Sequence, residues 1–154
     1  MTSILQISEE FARKEYAKHD EKHQWGHVEE VMTVALKLAN YYSQTDLEIL
    51  KLAILFHDIC YDNYITHIEK SMAMAKQFLL KHHYPENRIQ LVLDVILAHS
   101  GPHRKKFGDT KLIEGKIIFD ADKFRAATTP EGFVKYGPRF YLNETREILK
   151  KLSR

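Results

Sequence analysis

A chain of 154 residues, 44% hydrophobic and 29% charged, is long enough to bury one core without disulfide staples and too apolar to stay disordered. Its formal charge of +2, with acidic and basic side chains interspersed, gives no clear nucleic-acid surface, and no apolar run approaches the roughly 20 residues of a membrane span. A single cysteine, Cys60, excludes an internal disulfide framework and fits a reducing compartment; the N-terminal stretch carries no leader pattern, so the expected location is cytoplasmic.

Six glycines and four prolines are few breaks for this length, and apolar residues recur almost everywhere at steps of three and four. The expected fold is therefore all-α, one compact multi-helix bundle over 1–154. Ser3, with Gln6 three residues on, reads as a capping box for a first helix to about Lys18. A second helix begins near Trp25-Gly26-His27 and runs to about Tyr42. Val31, Ala35, Leu38 and Tyr42 follow His27 at helical steps, so His27 stands at the N-terminal end of a buried face. The link Ser43 to Asp46 offers caps for a central helix from about Leu47 to Ile59. Along it Leu47, Leu50, Ile54 and His57 step three, four and three, and the apolar run stops on the doublet His57-Asp58. A buried imidazole beside a carboxylate is costly unless something pairs with both, and a divalent cation satisfies the two together. Consecutive helices on a short link pack antiparallel, which brings His27 toward His57. Asp62 lies four residues after Asp58 and shares its face if the helix persists another turn, an arrangement suited to a ligand and a neighbouring acid or base.

Thr66-His67-Ile68-Glu69 reads as a second capping box, opening a helix to about Lys81 with Glu69 occupied in capping. Lys70 then falls in a first turn, where the helix dipole disfavours a cation, and this hints at a phosphate partner. Pro85-Glu86 opens a fifth helix in which Ile89, Val92, Ile96 and His99 repeat the central pattern of an imidazole closing an apolar stripe. Gly101-Pro102 breaks the chain, and His103-Arg104-Lys105-Lys106 follows as a basic loop, either solvated or holding an anion. A sixth helix, Thr110 to Thr128, buries Leu112, Ile113, Ile117, Ile118 and Phe119 and turns Asp122 inward. From Pro130 the chain is aromatic and basic, a C-terminal helical extension whose last helix, from about Asn143, serves packing or a homo-oligomer contact.

The inward polar residues His27, His57, Asp58 and Asp122 form a mixed nitrogen and oxygen set suited to Mn²⁺, Fe²⁺, Co²⁺, Ni²⁺ or Zn²⁺. A histidine, then a His-Asp doublet, then a distant aspartate resembles the HD superfamily of metal-dependent phosphohydrolases, and the resemblance runs from about His23 to Phe124. Ile68 to Ser71, Ala98-His99-Ser100 and Leu112 to Ile117 look like segments of its small, stand-alone bacterial branch, which includes nucleotide pyrophosphohydrolases. Two departures stand out: Tyr61-Asp62 where some members carry Glu-Asp, and Phe124-Arg125 where the branch continues Leu-Asp. The resemblance implies a hydrolase of a phosphate ester or anhydride, with a nucleotide as the phosphorylated substrate. It implies a divalent cation (Mn, Co, Ni, Fe, Zn or Mg) on His27, His57, Asp58 and Asp122. Asp62 is then the group that orients or deprotonates water, His99 supports the site or assists the leaving oxygen, and Lys70, Arg104 and Lys123 neutralise phosphate. An HD module that binds nucleotide or metal without turnover, and a di-iron HD-fold oxygenase, are the alternatives.

Overall fold

Ser3 and Gln6 exchange both hydrogen bonds of a capping box: Gln6 N–H donates to Ser3 Oγ at 3.1 Å and Ser3 N–H to Gln6 Oε1 at 2.8 Å. They open α1, Ile4–Tyr16. The computed structural model describes residues 2–19, 25–61 and 66–152, and the regular structure among them is entirely helical. α2 (Trp25–Ala39) and α3 (Leu47–Phe56) follow, α3 being started by Asp46, whose side chain accepts from Ile49 N–H. Then come α4 (His67–Lys81), α5 (Glu86–Ala98), α6 (Gly101–Phe107), α7 (Ile113–Lys123), α8 (Pro130–Tyr136) and α9 (Asn143–Leu152).

α3 is the axis of the bundle. From Ile49 to Phe56 it is apolar except for Lys51 and buried nearly all round, and it packs against α1, α2, α4, α5 and α7. Burying a side chain such as Leu50 or Ile54 contributes roughly 1.5–3 kcal/mol, so the end of α3 is held by the best-packed part of the molecule. A smaller cluster of Ala127, Phe140 and Leu149, with Phe124, Phe133 and Tyr136 against it, seats the C-terminal segment on the end of α7. No helix among the described residues is long and apolar enough to cross a membrane.

Several local expectations change. α2 ends at Ala39 and α3 at Phe56, so the chain leaves helical geometry at the doublet itself instead of continuing to Ile59. Asp62 lies outside the described residues. Thr66 makes no side-chain cap and its backbone is already helical at φ −112 and ψ 0, not extended as a capping box requires, which leaves Glu69 exposed. Gly101-Pro102 starts a helix instead of breaking one: Ser100 Oγ accepts from His103 N–H at 3.1 Å and Pro102 sits in the first turn, where a missing N–H costs nothing. The basic run His103 to Lys106 is thus α6, not a loop. The sixth predicted helix is shorter, ending at Lys123, with a separate 3₁₀ turn over Arg125–Thr128.

Candidate metal centre

Three helix ends converge on one point. α2 presents His27 from its first turn, α3 ends in His57-Asp58, and α7 presents Asp122 from its last turn. His57 Nε2 and His27 Nε2 stand 3.4 Å apart, and Asp122 Oδ1 lies 3.1 Å from His27 Nε2 and 3.2 Å from His57 Nε2. Asp58 Oδ2 is 3.4 Å from His57 Nε2 and 3.7 Å from His27 Nε2. An ion with ligands at about 2.0–2.2 Å separates neighbouring ligand atoms by about 3.0–3.6 Å. Four of these five distances fall in that range and the fifth, at 3.7 Å, lies just beyond it, so the four residues offer one group able to hold a metal ion.

The histidine tautomer supports this use. His57 Nδ1 donates to the Ile54 carbonyl at 2.6 Å, which leaves the Nε2 lone pair for the cluster. His99, at the end of α5, repeats the device: its Nδ1 donates to the Ile96 carbonyl and its Nε2 faces Asp58 Oδ1 at 3.5 Å. His67 Nε2, from the start of α4, reaches the same oxygen at 3.5 Å. Asp58, His67 and His99 form a second group able to hold an ion, and all three are buried. Asp58 therefore turns one oxygen to each group. Sequence reasoning missed His67, because Thr66 and Glu69 drew the segment into a capping pattern. The available signal was its parallel with His27, a histidine opening the helix next to the doublet.

Burial works against a charged His57, yet the Asp58 and Asp122 carboxylates hold its pKa up to about 9. Burial likewise works against ionised Asp58 and Asp122, and their neighbours prevail: the His57 and His99 rings lower Asp58, while Lys123 and hydrogen bonds from the His27 and His57 rings lower Asp122. The proton that His57 retains without a metal is the one a metal must displace. Its folded pKa lies above the ordinary 6.5, so the stability it lends the metal-free protein is complete below pH 6.5 and lost as pH rises through 9, about 3 kcal/mol in all. The two carboxylates act in the opposite sense, stabilising above their ordinary range and losing that contribution only in strong acid. Thermal unfolding of chelator-treated protein between pH 6 and 9.5 should show a falling Tm, abolished by saturating Mn²⁺; a flat or rising profile without metal contradicts the network.

Beneath the doublet lies Tyr16, from the last turn of α1, fully buried, its hydroxyl accepting from Asp58 N–H at 3.1 Å. Burial, then the Asp58 charge, raises its pKa well above 10 and keeps it protonated. Removing the hydroxyl orphans a buried amide, a loss of about 1–3 kcal/mol. Tyr16→Phe should therefore lower Tm and also shrink the Tm increment that Mn²⁺ confers. An unchanged increment would leave Tyr16 as packing alone.

The remaining sequence candidates fall differently. Lys123 reaches the site, donating to Asp122 Oδ2 at 3.1 Å and to the His99 carbonyl, so it braces a carboxylate of the cluster. Lys70 is exposed one turn along α4 from His67, on the same side of that helix. Arg104 is not among the groups brought together. Its Nε donates to Asp109 at 2.8 Å, its Nη1 to the Arg139 carbonyl, and its guanidinium lies 3.8 Å from the Tyr141 ring centroid and 4.8 Å from that of Phe119. These partners use it to tie down the C-terminal segment, because α6, absent from the sequence reading, carries it away from the doublet.

A family profile described as HD domain matches residues 25–127. No curated protein and no solved structure matches the chain.

Proposed function

Because this chain belongs to the HD-domain family, whose profile covers about two thirds of it, we propose that it is a metal-dependent phosphohydrolase that cleaves a phosphate ester or anhydride of a nucleotide. The observation that carries the proposal is the shared carboxylate: Asp58 lies between two groups of imidazole and carboxylate donors, one on each of its oxygens. His27, His57, Asp58 and Asp122 hold one divalent cation, and His67 and His99 with Asp58 provide for a second. A cation bound there acidifies water and neutralises charge on phosphoryl oxygens. The protein's part is positional: the Ile54 and Ile96 carbonyls fix the His57 and His99 rings, and Lys123 fixes Asp122. Lys70, one turn from His67, supplies charge to a phosphoryl group that approaches from the α4 side. Asp62 is proposed to orient the attacking water.

The test is a screen of metal-free protein reloaded with Mn²⁺, Co²⁺, Ni²⁺, Mg²⁺, Fe²⁺ or Zn²⁺ against nucleoside mono-, di- and triphosphates, with phosphate and pyrophosphate resolved. Turnover that depends on the metal supports the reading, and silence across the panel with the metal bound overturns it. The second donor group also favours a rival, an oxygenase using two irons. Iron-dependent oxygen consumption without phosphate release would select that alternative.

A further inference from the structure

A pocket of about 420 Å³ opens from the His27 and Asp122 side of the metal centre and runs between α2 and the end of α7. Along α2 it extends from His27 to Val34, about 10 Å at 1.5 Å per residue. Its size falls in the range of small-molecule sites. Val34 and Phe124 provide apolar walls, Thr33 a hydroxyl, and Glu29 and Glu30 an acidic rim. Arg125, the one lysine or arginine among the described lining residues, is spent on Glu30 in an ion pair of 2.6 Å that joins the 3₁₀ turn to α2. Among the described residues the pocket therefore presents carboxylates without an unpaired cation, which repels a second phosphate and suits an organic group bearing N–H donors.

Resting on the phosphohydrolase reading, we propose that this pocket receives the nucleoside half of the substrate and selects bases with an amino group in place of a carbonyl at C4 of a pyrimidine or C6 of a purine, cytosine or adenine, through Glu30 held by Arg125. A carboxylate accepts from the N4 amino group of cytosine, whereas uracil offers a carbonyl oxygen at the same place, and acceptor facing acceptor is unfavourable. Adenine and hypoxanthine differ in the same way. Phe124 and Val34 contribute contact area common to all bases and set no preference among them. The Phe124-Arg125 departure from the branch pattern lies in this pocket wall, where Arg125 serves as the strut for Glu30.

Ligand-detected saturation-transfer NMR on the full-length metal-free protein, with cytidine, uridine, adenosine and inosine as probes, tests the assignment. Cytidine should bind at least tenfold more tightly than uridine, and adenosine than inosine. Glu30→Gln, whose amide both donates and accepts, should bring each ratio close to one. Thr33→Trp, a change at an exposed position that fills the pocket, should abolish binding of all four. Equal affinity for the paired nucleosides in the unaltered protein, no binding of any, or binding that survives Thr33→Trp overturns the proposal. These probes carry no phosphate and the assay contains no metal. Selective nucleoside binding without hydrolysis would thus fail the phosphohydrolase reading alone, and hydrolysis without nucleoside binding would fail the pocket alone.

Discussion

Replacing Asp58 by alanine should leave a helical protein that retains no metal and turns nothing over. The residue is the only one common to both donor groups among the described residues, with one carboxylate oxygen directed to His27 and His57 and the other to His67 and His99. Losing an outer partner of a metal ligand typically lowers affinity 10–100-fold, and losing a ligand common to two ions exceeds that at each. The measurement is metal content by elemental analysis after dialysis, beside circular dichroism. The unaltered protein is expected to hold two equivalents, His67→Ala one, and Asp58→Ala less than a tenth of one, with no change in helix content. An Asp58→Ala protein with full metal content and full phosphatase activity would refute the assignment of the centre.

The second large effect concerns stability. Asp120, two residues before Asp122 on α7, is fully buried and points away from the metal centre. One of its oxygens accepts from Tyr141 N–H at 2.9 Å, and the other from Leu142 N–H at 3.0 Å and from the Thr145 hydroxyl. Burial raises its pKa and these donors pull it back. Asp120→Ala strands two backbone amides and a hydroxyl in the interior, and each stranded group costs about 1–3 kcal/mol. A loss of about 3–5 kcal/mol in urea unfolding is expected, with the metal content per folded molecule unchanged. Asp120→Asn, which keeps an acceptor but turns an NH₂ toward the donors, should fall between. A loss below about 1 kcal/mol for the alanine variant would mean that these bonds contribute little to holding the C-terminal segment.

How much of this was legible in the chain depends on the range of the interactions involved. Helical periodicity alone placed His57 and His99 at the ends of apolar stripes, and both occupy the C-cap of their helices with the ring turned back on a carbonyl three residues earlier. The capping box at Ser3 was equally local and equally readable. At Thr66 the same letters misled: the segment carries the residues of a capping box, but its first helical residue, His67, is drawn in toward Asp58, and the backbone of Thr66 follows a helical path. Gly101-Pro102 misled in the other direction, since a pair that ends one helix also permits the next to begin when a serine precedes it. Asp120 shows the limit of pattern reading. It and Asp122 both belong to α7, and helical spacing turns each toward protein. Which one meets imidazoles is decided by α2, whose His27 is separated from Asp122 by 95 positions.

The stretch that matches the family profile, 25–127, contains every donor of both metal groups, and yet it does not supply all of its own interior hydrogen-bond partners. Two of its interior polar groups are satisfied only from beyond its edges: the amide of Asp58 by Tyr16, and the carboxylate of Asp120 by Tyr141, Leu142 and Thr145. The flanking segments act as clamps on the two helices that carry the doublet and the closing aspartate. An excised fragment bounded by the profile would carry the full ligand set without the protein partners of the Asp58 amide and the Asp120 carboxylate, which water would have to replace.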